Sequence, residues 1–496
     1  MKKLALTAVA VALAYTGTSW WLGGQVEKEL DTQYAKLVGA PNVALVERSY
    51  ERGVFSATET VTIEYGRDTM NAMAAAFGLD ESPEPLRLVL RTHFKHGPLP
   101  GFSGFGAAVG DSELVLDEAQ RKALAPLFGD QAPLAARTRY GLNGGEMVLT
   151  SPAFEGVIGE AGSDDATKLS SDGLRLAMRF GSGLAHYSVD LEVARFVVED
   201  ADGAMRITGL TAKGDQERLF EDEPLFYLGS GRIGLAGLEF DAPIGPDGRT
   251  SVSLGGLEYR EDARVQDGFI DLDVRLGARS LKVGEHDWGP VQLDQRYAHL
   301  EARTMATLYR AFNQVAANPL GAMQAAEGDF SALLVPLAEP LATLLANAPE
   351  YFLDRLEFAG PHGKARLALK VGMPGVTPED VGNPFGLLTK LVIDGEAEFP
   401  EALVLASMLE DDAGDEERAF AQAMLDASLE PLVDEGYVSR ASGRLNTRLQ
   451  FENGELLLNG KPFDPMMMAG GYELDEDDYD EEEDYEEDED DGEDSE

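Results

Sequence analysis

Phe55-Ser56-Ala57-Thr58-Glu59-Thr60-Val61-Thr62-Ile63-Glu64-Tyr65 decides the fold class. Phe55, Ala57, Val61, Ile63 and Tyr65 fall on one side and Ser56, Thr58 and Thr60 on the other, the period of two of a half-buried strand. The pattern repeats outward from there. Leu86, Leu88, Leu90, Thr92 and Phe94 alternate with Arg87 and Arg91 until the breaker His96-Gly97-Pro98-Leu99-Pro100 stops the run. As far as about Gln292 the chain consists of short alternating runs joined by turn signals. Asn143-Gly144-Gly145, Asp202-Gly203, Asp247-Gly248 and Asp267-Gly268 each read as a hairpin connection, and His362-Gly363 and Asn453-Gly454 supply two more.

Helical spacing enters in four places. Val26, Leu30, Gln33, Tyr34 and Leu37 form a stripe with Glu27, Lys28, Glu29 and Asp31 between them, an amphipathic helix that Pro41 ends. Residues 302–317 set Met305, Leu308, Tyr309 and Phe312 on one face. Residues 330–346 are apolar and helical, but Pro336 and Pro340 predict a break or kink. Residues 416–433 turn Phe420, Met424, Ala427 and Leu429 inward. An open sheet must cover its apolar face, and residues 302–347 and 416–433 are the available cover. The expected class is α+β, predominantly β: extended, largely antiparallel sheets with a few covering helices and one N-terminal transmembrane signal anchor.

The anchor rests on Lys2 and Lys3 followed by a run without charge from Leu4 to Leu22, which closes with Trp20 and Trp21. As a helix this run is about 28 Å long, close to the roughly 30 Å hydrocarbon core of a bilayer. The lysines would stay cytoplasmic and the tryptophans would sit at the far interface. Ala12-Leu13-Ala14 also has the small-x-small form of a signal-peptidase site, so a cleaved signal is the competing reading. Either one carries the chain across the bacterial inner membrane, with its bulk in the periplasm. The expected order is 1–24 signal anchor, 25–40 juxtamembrane helix, 41–300 β-rich region, 301–463 helix-plus-strand region and 464–496 disordered acidic tail.

The 496 residues include no cysteine, which removes disulfides, thiolate metal sites and thiol nucleophiles together. Net charge is −48, and Gly471 to Glu496 hold 19 acidic residues and no basic one, leaving the remainder at −29. Such a field repels nucleic acid, so no nucleic-acid partner is expected. The tail is too polar to offset chain entropy by burial.

A search for chemistry yields no catalytic, cofactor or metal assignment. His93 and His96 lie on opposite faces of a strand, and His96 is expected to bond within its own turn. Gly229-Ser230-Gly231-Arg232-Ile233-Gly234 matches a dinucleotide fingerprint by letters, yet Leu235 to Phe240 after it reads as a strand where a helix N-terminus is required. Gly101-Phe102-Ser103-Gly104 has Phe105 where a nucleophile elbow needs its last glycine. Asp271 and Asp273 share a strand face and read as solvated rather than as cation ligands.

Trp20-Trp21-Leu22-Gly23-Gly24-Gln25-Val26-Glu27, Tyr50-Glu51-Arg52-Gly53-Val54-Phe55-Ser56 and His96-Gly97-Pro98-Leu99-Pro100, in this order and spacing, resemble the YdgA-like family of bacterial envelope proteins of unknown function. The hairpin Gly454-Glu455-Leu456-Leu457-Leu458-Asn459-Gly460-Lys461-Pro462 is similar to that family's closing segment. Leu300-Glu301-Ala302 stands where the family has Asn-Leu-Asp. The residues carrying the likeness are Trp20, Gly23, Glu27, Tyr50, Arg52, Gly53, Phe55, His96, Gly97, Pro98, Leu99, Asn459 and Gly460, with no role assigned to them. The resemblance implies an inner-membrane, periplasm-facing protein and no activity. The expected function is non-catalytic: a binding or envelope-maintenance role, with a lipid chain, an extended polypeptide or an envelope protein as partner. Two alternatives stand beside it, a carboxylate-based hydrolase of envelope glycans or lipids, and a structural subunit of a membrane assembly that self-associates through residues 25–38.

Overall fold

In the computed structural model, β2 (Ser56–Tyr65) buries Ala57, Val61 and Ile63 along one side, together with one charged residue, Glu59. It pairs antiparallel with β1 (Val43–Arg52) and β3 (Leu86–His96). The structure describes residues 2–37, 43–66, 85–102, 104–159, 163, 166–201, 203–243, 249–284, 286–317, 330–377, 380, 383–409 and 414–464. The expected acidic tail beyond Asp464 lies outside them, as do Asp202, Asp247 and Gly248 of the hairpin signals.

From β3 the sheet continues through β4 (Ala108–Leu114), β5 (Ala135–Tyr140) and β6 (Gly144–Ser151), then Leu174–Gly181, His186–Glu199, Ala204–Arg218, Tyr227–Pro243 and Arg249–Gln266. It runs on through Phe269–Ala278, Val291–Glu301, Glu350–Gly360, Gly363–Gly372, Val392–Pro400 and Arg444–Glu452. Each strand is antiparallel to the one before it. Many are joined by short turns, which can link only antiparallel neighbours, while Phe154–Ile158 and Thr167–Ser171 intervene before Leu174–Gly181, and helices intervene before Glu350–Gly360 and before Arg444–Glu452. The expected class of largely antiparallel sheet with a few helices is what the chain forms.

The helix α1 (Lys2–Leu37) is unbroken over 36 residues, so the apolar run and the amphipathic stretch are one element. From Tyr15 onward one face turns inward, and Ser19, Leu22, Val26 and Leu30 are at most 4% exposed. They pack on Ala57, Phe94, Ala108, Tyr140 and Phe180, with Tyr50, Met147, Met178 and Tyr187 around them. Those residues come from eight successive strands. Eight strands laid flat span roughly 34 Å, against a helix about 10–12 Å wide, so the sheet must curl around α1 as a trough around a rod. No helix among the described residues is long and apolar enough to cross a membrane, and the side chains of residues 4–10, where the apolar run begins, lie outside the described set.

Three helical expectations are corrected. Ala302–Ala317 packs through Ala302 and Ala306 on Phe226 and Ile270; of the expected inward face Met305 joins this cluster and Tyr309 lies half-exposed against Phe226 with ring centroids 5.7 Å apart, while Phe312 stays largely in solvent. Asp415–Asp434 buries Leu429 as expected but sets Ala421 and Leu425 beside it, and leaves Phe420 and Met424 outside, so the face over the first turns is rotated by one residue from the expected one. In the first helix small alanines take the contact line because they permit close approach, whereas in the second Leu425 and Leu429 pack on Leu445 beside the single alanine Ala421. Phe330–Ala346 is one helix that runs through Pro336 and Pro340 without the expected break. The prolines are four apart, so the missing N–H bonds fall on one side and the ladder stays continuous on the other. At Leu300-Glu301-Ala302 the Glu301 carboxylate accepts from the amides of Arg303 and Thr304 at 3.1 and 2.6 Å, so an acidic helix cap is retained despite the departure from the family pattern.

Candidate functional site

The sequence motifs meet where α1 enters the trough. β3 ends at His96, which is 2% exposed with Nδ1 3.0 Å from the Ser19 carbonyl oxygen. The imidazole therefore bonds to α1 and not within its own turn, as expected above, because the breaker after β3 turns the chain directly beneath the helix. Gly23 leaves room for the ring: a Cβ there would lie 2.7 Å from His96 Cε1. Gly97, at φ +132°, would bring a Cβ to 2.5 Å from Ser19 Oγ. Gly97→Ala combines backbone strain with overpacking and is expected to cost about 2–3 kcal/mol. Thermal unfolding measures that cost, and an unchanged melting temperature would mean that α1 does not dock there.

The remaining motif residues brace the same contact. Arg52 pairs with Glu27 at 2.8 Å and lies 4.9 Å over the Trp20 ring. The Gly53 amide donates to the Ser56 carbonyl at 2.8 Å, and the turn so closed brings the Phe55 ring to 6.1 Å from Tyr15. The Tyr15 hydroxyl donates to the Leu99 carbonyl at 3.2 Å, and Pro98 accepts from the Gly106 amide. Asn459 and Gly460 stand apart from this group. Asn459 accepts from the Arg448 amide and donates to the carbonyls of Gly436 and Tyr437, which pins the last hairpin.

Beyond the docked turns the trough is wider than the helix, and a groove of about 420 Å³ remains. Leu30, Gln33 and Tyr34 of α1 form one wall, with Val61, Leu90, Phe94, Tyr140, Met147, Met178, Tyr187 and the segment 224–227 around it. The volume lies in the range of small-molecule sites. Phe94 and Tyr140 of this lining belong to a ladder of rings, Tyr50, Phe94, Tyr140 and Phe180, with centroids 6.0 Å apart, whose outer members pack beyond the groove.

One polar cluster interrupts this apolar lining. Glu59, 2% exposed, accepts from Arg48 Nε at 2.7 Å and from the Tyr34 hydroxyl at 3.2 Å. Arg48 also pairs with Asp31 and lies 4.9 Å over the Tyr34 ring. Burial pushes the Glu59 carboxyl above the ordinary carboxylate value, with Arg48 opposing. Burial likewise raises the Tyr34 and Tyr140 hydroxyls, and that of Tyr50 to about 12, so all three stay neutral donors. Thr92 and Ser112 share a 2.8 Å hydrogen bond beside them. Such a site can hold an apolar chain and offer a hydrogen-bonding group at one place along it.

None of the groove residues above was singled out from sequence as a site. Glu59 carries the one signal that could have found it: it occupies an inward position of the alternation between Ala57 and Val61, where a carboxylate is costly unless paired. A larger hollow of about 570 Å³ lies on the strands between residues 213 and 275, but its basic and acidic side chains are interspersed, with Arg264 paired to both Asp262 and Asp273 and Lys213 to Asp190 beside it, so it is a solvated charged face.

Asp271 accepts from the His299 amide, and Asp273 is paired with Arg264. Gly229 to Gly234 lie within the strand Tyr227–Pro243, with no helix N-terminus after them. Gly101 and Phe102 belong to the short 3-10 turn Pro100–Phe102 after β3, and Ser103 lies outside the described residues. Among the described residues no three histidine or acidic side chains gather as a metal site.

A family profile described as bacterial protein of unknown function (DUF945) matches residues 1–466. No curated protein and no solved structure matches the chain.

Proposed function

The chain belongs to this bacterial family of unknown function, and from its own geometry we propose that it is a non-catalytic binder of an amphiphile, whose acyl chain occupies the groove beside α1. The observation that carries the reading is a groove of about 420 Å³ with mostly apolar walls and one buried Arg48–Glu59–Tyr34 cluster. An extended polypeptide fits less well. Strand addition requires an unpaired edge, and the groove-lining strands β2 to β6 are hydrogen-bonded on both sides; among the described strands β1 is paired with β2 alone, and none of its residues lines the groove. A carboxylate-pair hydrolase needs a second acid facing the first, whereas Glu59 is the sole carboxylate among the described lining residues and is held by Arg48. The stripe that a membrane assembly would use, Val26 and Leu30, is turned onto the sheet of its own chain. In this reading the start of α1 holds the protein at the inner membrane, the groove faces the periplasm, and the ligand is a lipid of that membrane.

The experiment is titration of the full-length protein with a fluorescent fatty acid, beside Met178→Trp, in which a large ring fills the groove. Saturable binding by the wild type, weakened at least about tenfold in the variant (roughly 1.4 kcal/mol), with an unchanged melting temperature, is the expected result. Equal binding by both proteins would put the ligand elsewhere.

A further inference from the structure

We infer that the body of the protein, and not the helix alone, enters the lipid surface, through the tips that carry Val54 and Phe55 and that carry Phe102 and Phe105, together with Trp20 and Trp21. The inference rests on the membrane anchor proposed above, and its first argument is one of length. From Leu4 to Tyr15 the helix rises only about 17 Å, well short of the roughly 30 Å core. From Tyr15 onward α1 is already docked, with Tyr15 on Leu99 and Ser19 against His96 and Gly97. If the uncharged run Leu4 to Leu22 lies at membrane depth, whatever is docked on its last two turns is carried down with it.

The docked parts have the surface that this position requires. Phe102 and Phe105, 88% and 93% exposed, belong to the loop whose Gly97 and Leu99 meet Ser19 and Tyr15 of α1, and Phe55, Trp20 and Trp21 are about half exposed. Val11 and Leu13 continue the apolar surface along the helix. No charged residue occurs from Gly97 to Gly110, in a chain that is 26% charged with a net charge of −48. Large aromatic side chains on water-facing tips are costly in solvent and favoured at a membrane interface.

The backbone is also suited to it. The amides of Gly97, Phe102, Gly106 and Ala107 donate to the carbonyls of Ala107, Leu99, Pro98 and Tyr140. The base of the loop is thus closed by its own backbone hydrogen bonds, which lowers the cost of bringing it into a poorly hydrated zone. The lipid surface is chosen over a protein partner because the tips are continuous with the apolar helix, and a bilayer accepts all of them without shaped pockets.

The chain has no cysteine, so single labels are unambiguous. Full-length Phe105→Cys, Phe102→Cys, Leu13→Cys and Glu452→Cys proteins, each carrying an environment-sensitive fluorophore, are reconstituted into phosphatidylethanolamine–phosphatidylglycerol vesicles containing doxyl-labelled lipid. Labels at 102 and 105 are expected to shift to the blue and to be quenched as strongly as the label at 13, while 452 behaves as in water. Quenching at 13 with 102 and 105 behaving like 452 would overturn the inference and leave the anchor standing. Absence of quenching at 13 as well would overturn both. A soluble crosslinked partner at 105, formed in place of lipid quenching, would assign the tips to a protein.

Discussion

Replacing both Leu22 and Leu30 with alanine is expected to destabilise the protein by about 2–5 kcal/mol per site. The two leucines are 3% and 4% exposed and form the contact line between α1 and eight strands. Domain stabilities of about 5–15 kcal/mol leave little reserve after such a loss. The trough would also lose the rod around which it curls. The variant should melt well below the wild type and be cut by proteases within residues 15–37 under native conditions. Leu13→Ala, at a position 68% exposed, is the matched control and should change neither measurement. A double variant that melts with the wild type would mean that the sheet curls and holds without α1.

Arg48→Met is expected to have the second large effect, about 3–5 kcal/mol at neutral pH, because it leaves the buried Glu59 charge without its partner. The sign of its pH dependence follows from Glu59. Burial raises the folded-state value above the unfolded one even with Arg48 opposing, and without the guanidinium it rises further. A carboxyl raised in this way contributes stability that is fully present below its unfolded value, and the contribution is lost as pH rises through the folded value. The variant should therefore recover much of the lost stability as pH falls from neutral toward about 4.5, measured as the shift in melting temperature against wild type. A deficit independent of pH would show that the loss is one of packing, through the Tyr34 and Tyr50 rings that Arg48 overlies.

Much of the sheet was legible because its information is local. Alternation in residues 55–65 and the pairs Asp267-Gly268, His362-Gly363 and Asn453-Gly454 each specify a strand or a turn within a few residues, and an antiparallel meander is the sum of such steps. The inward faces at 302–317 and 415–434 were only partly legible: Met305 and Leu429 point inward as expected, but periodicity identifies an apolar stripe and not which side of it meets the partner surface. At Ala306 and Ala421 a small residue lies on the contact line while Phe312 and Phe420 stay outside. The groove was hidden for a related reason. Leu30, Val61, Tyr140, Met178 and Leu225 come from distant parts of the chain and become neighbours only when the sheet curls around α1. The motif residues from Trp20 to Leu99 were visible as a group, but their purpose was not. They form the dock for α1, and His96 reaches Ser19, 77 residues away.

Native mass spectrometry of the full-length protein, released from mild detergent beside its Met178→Trp variant, tests the central claim most directly. The groove reading predicts that the wild type carries the added mass of a fatty acid or phospholipid and that the variant, equally folded, does not. A wild type that flies without bound lipid, or lipid retained equally by both proteins, would contradict it.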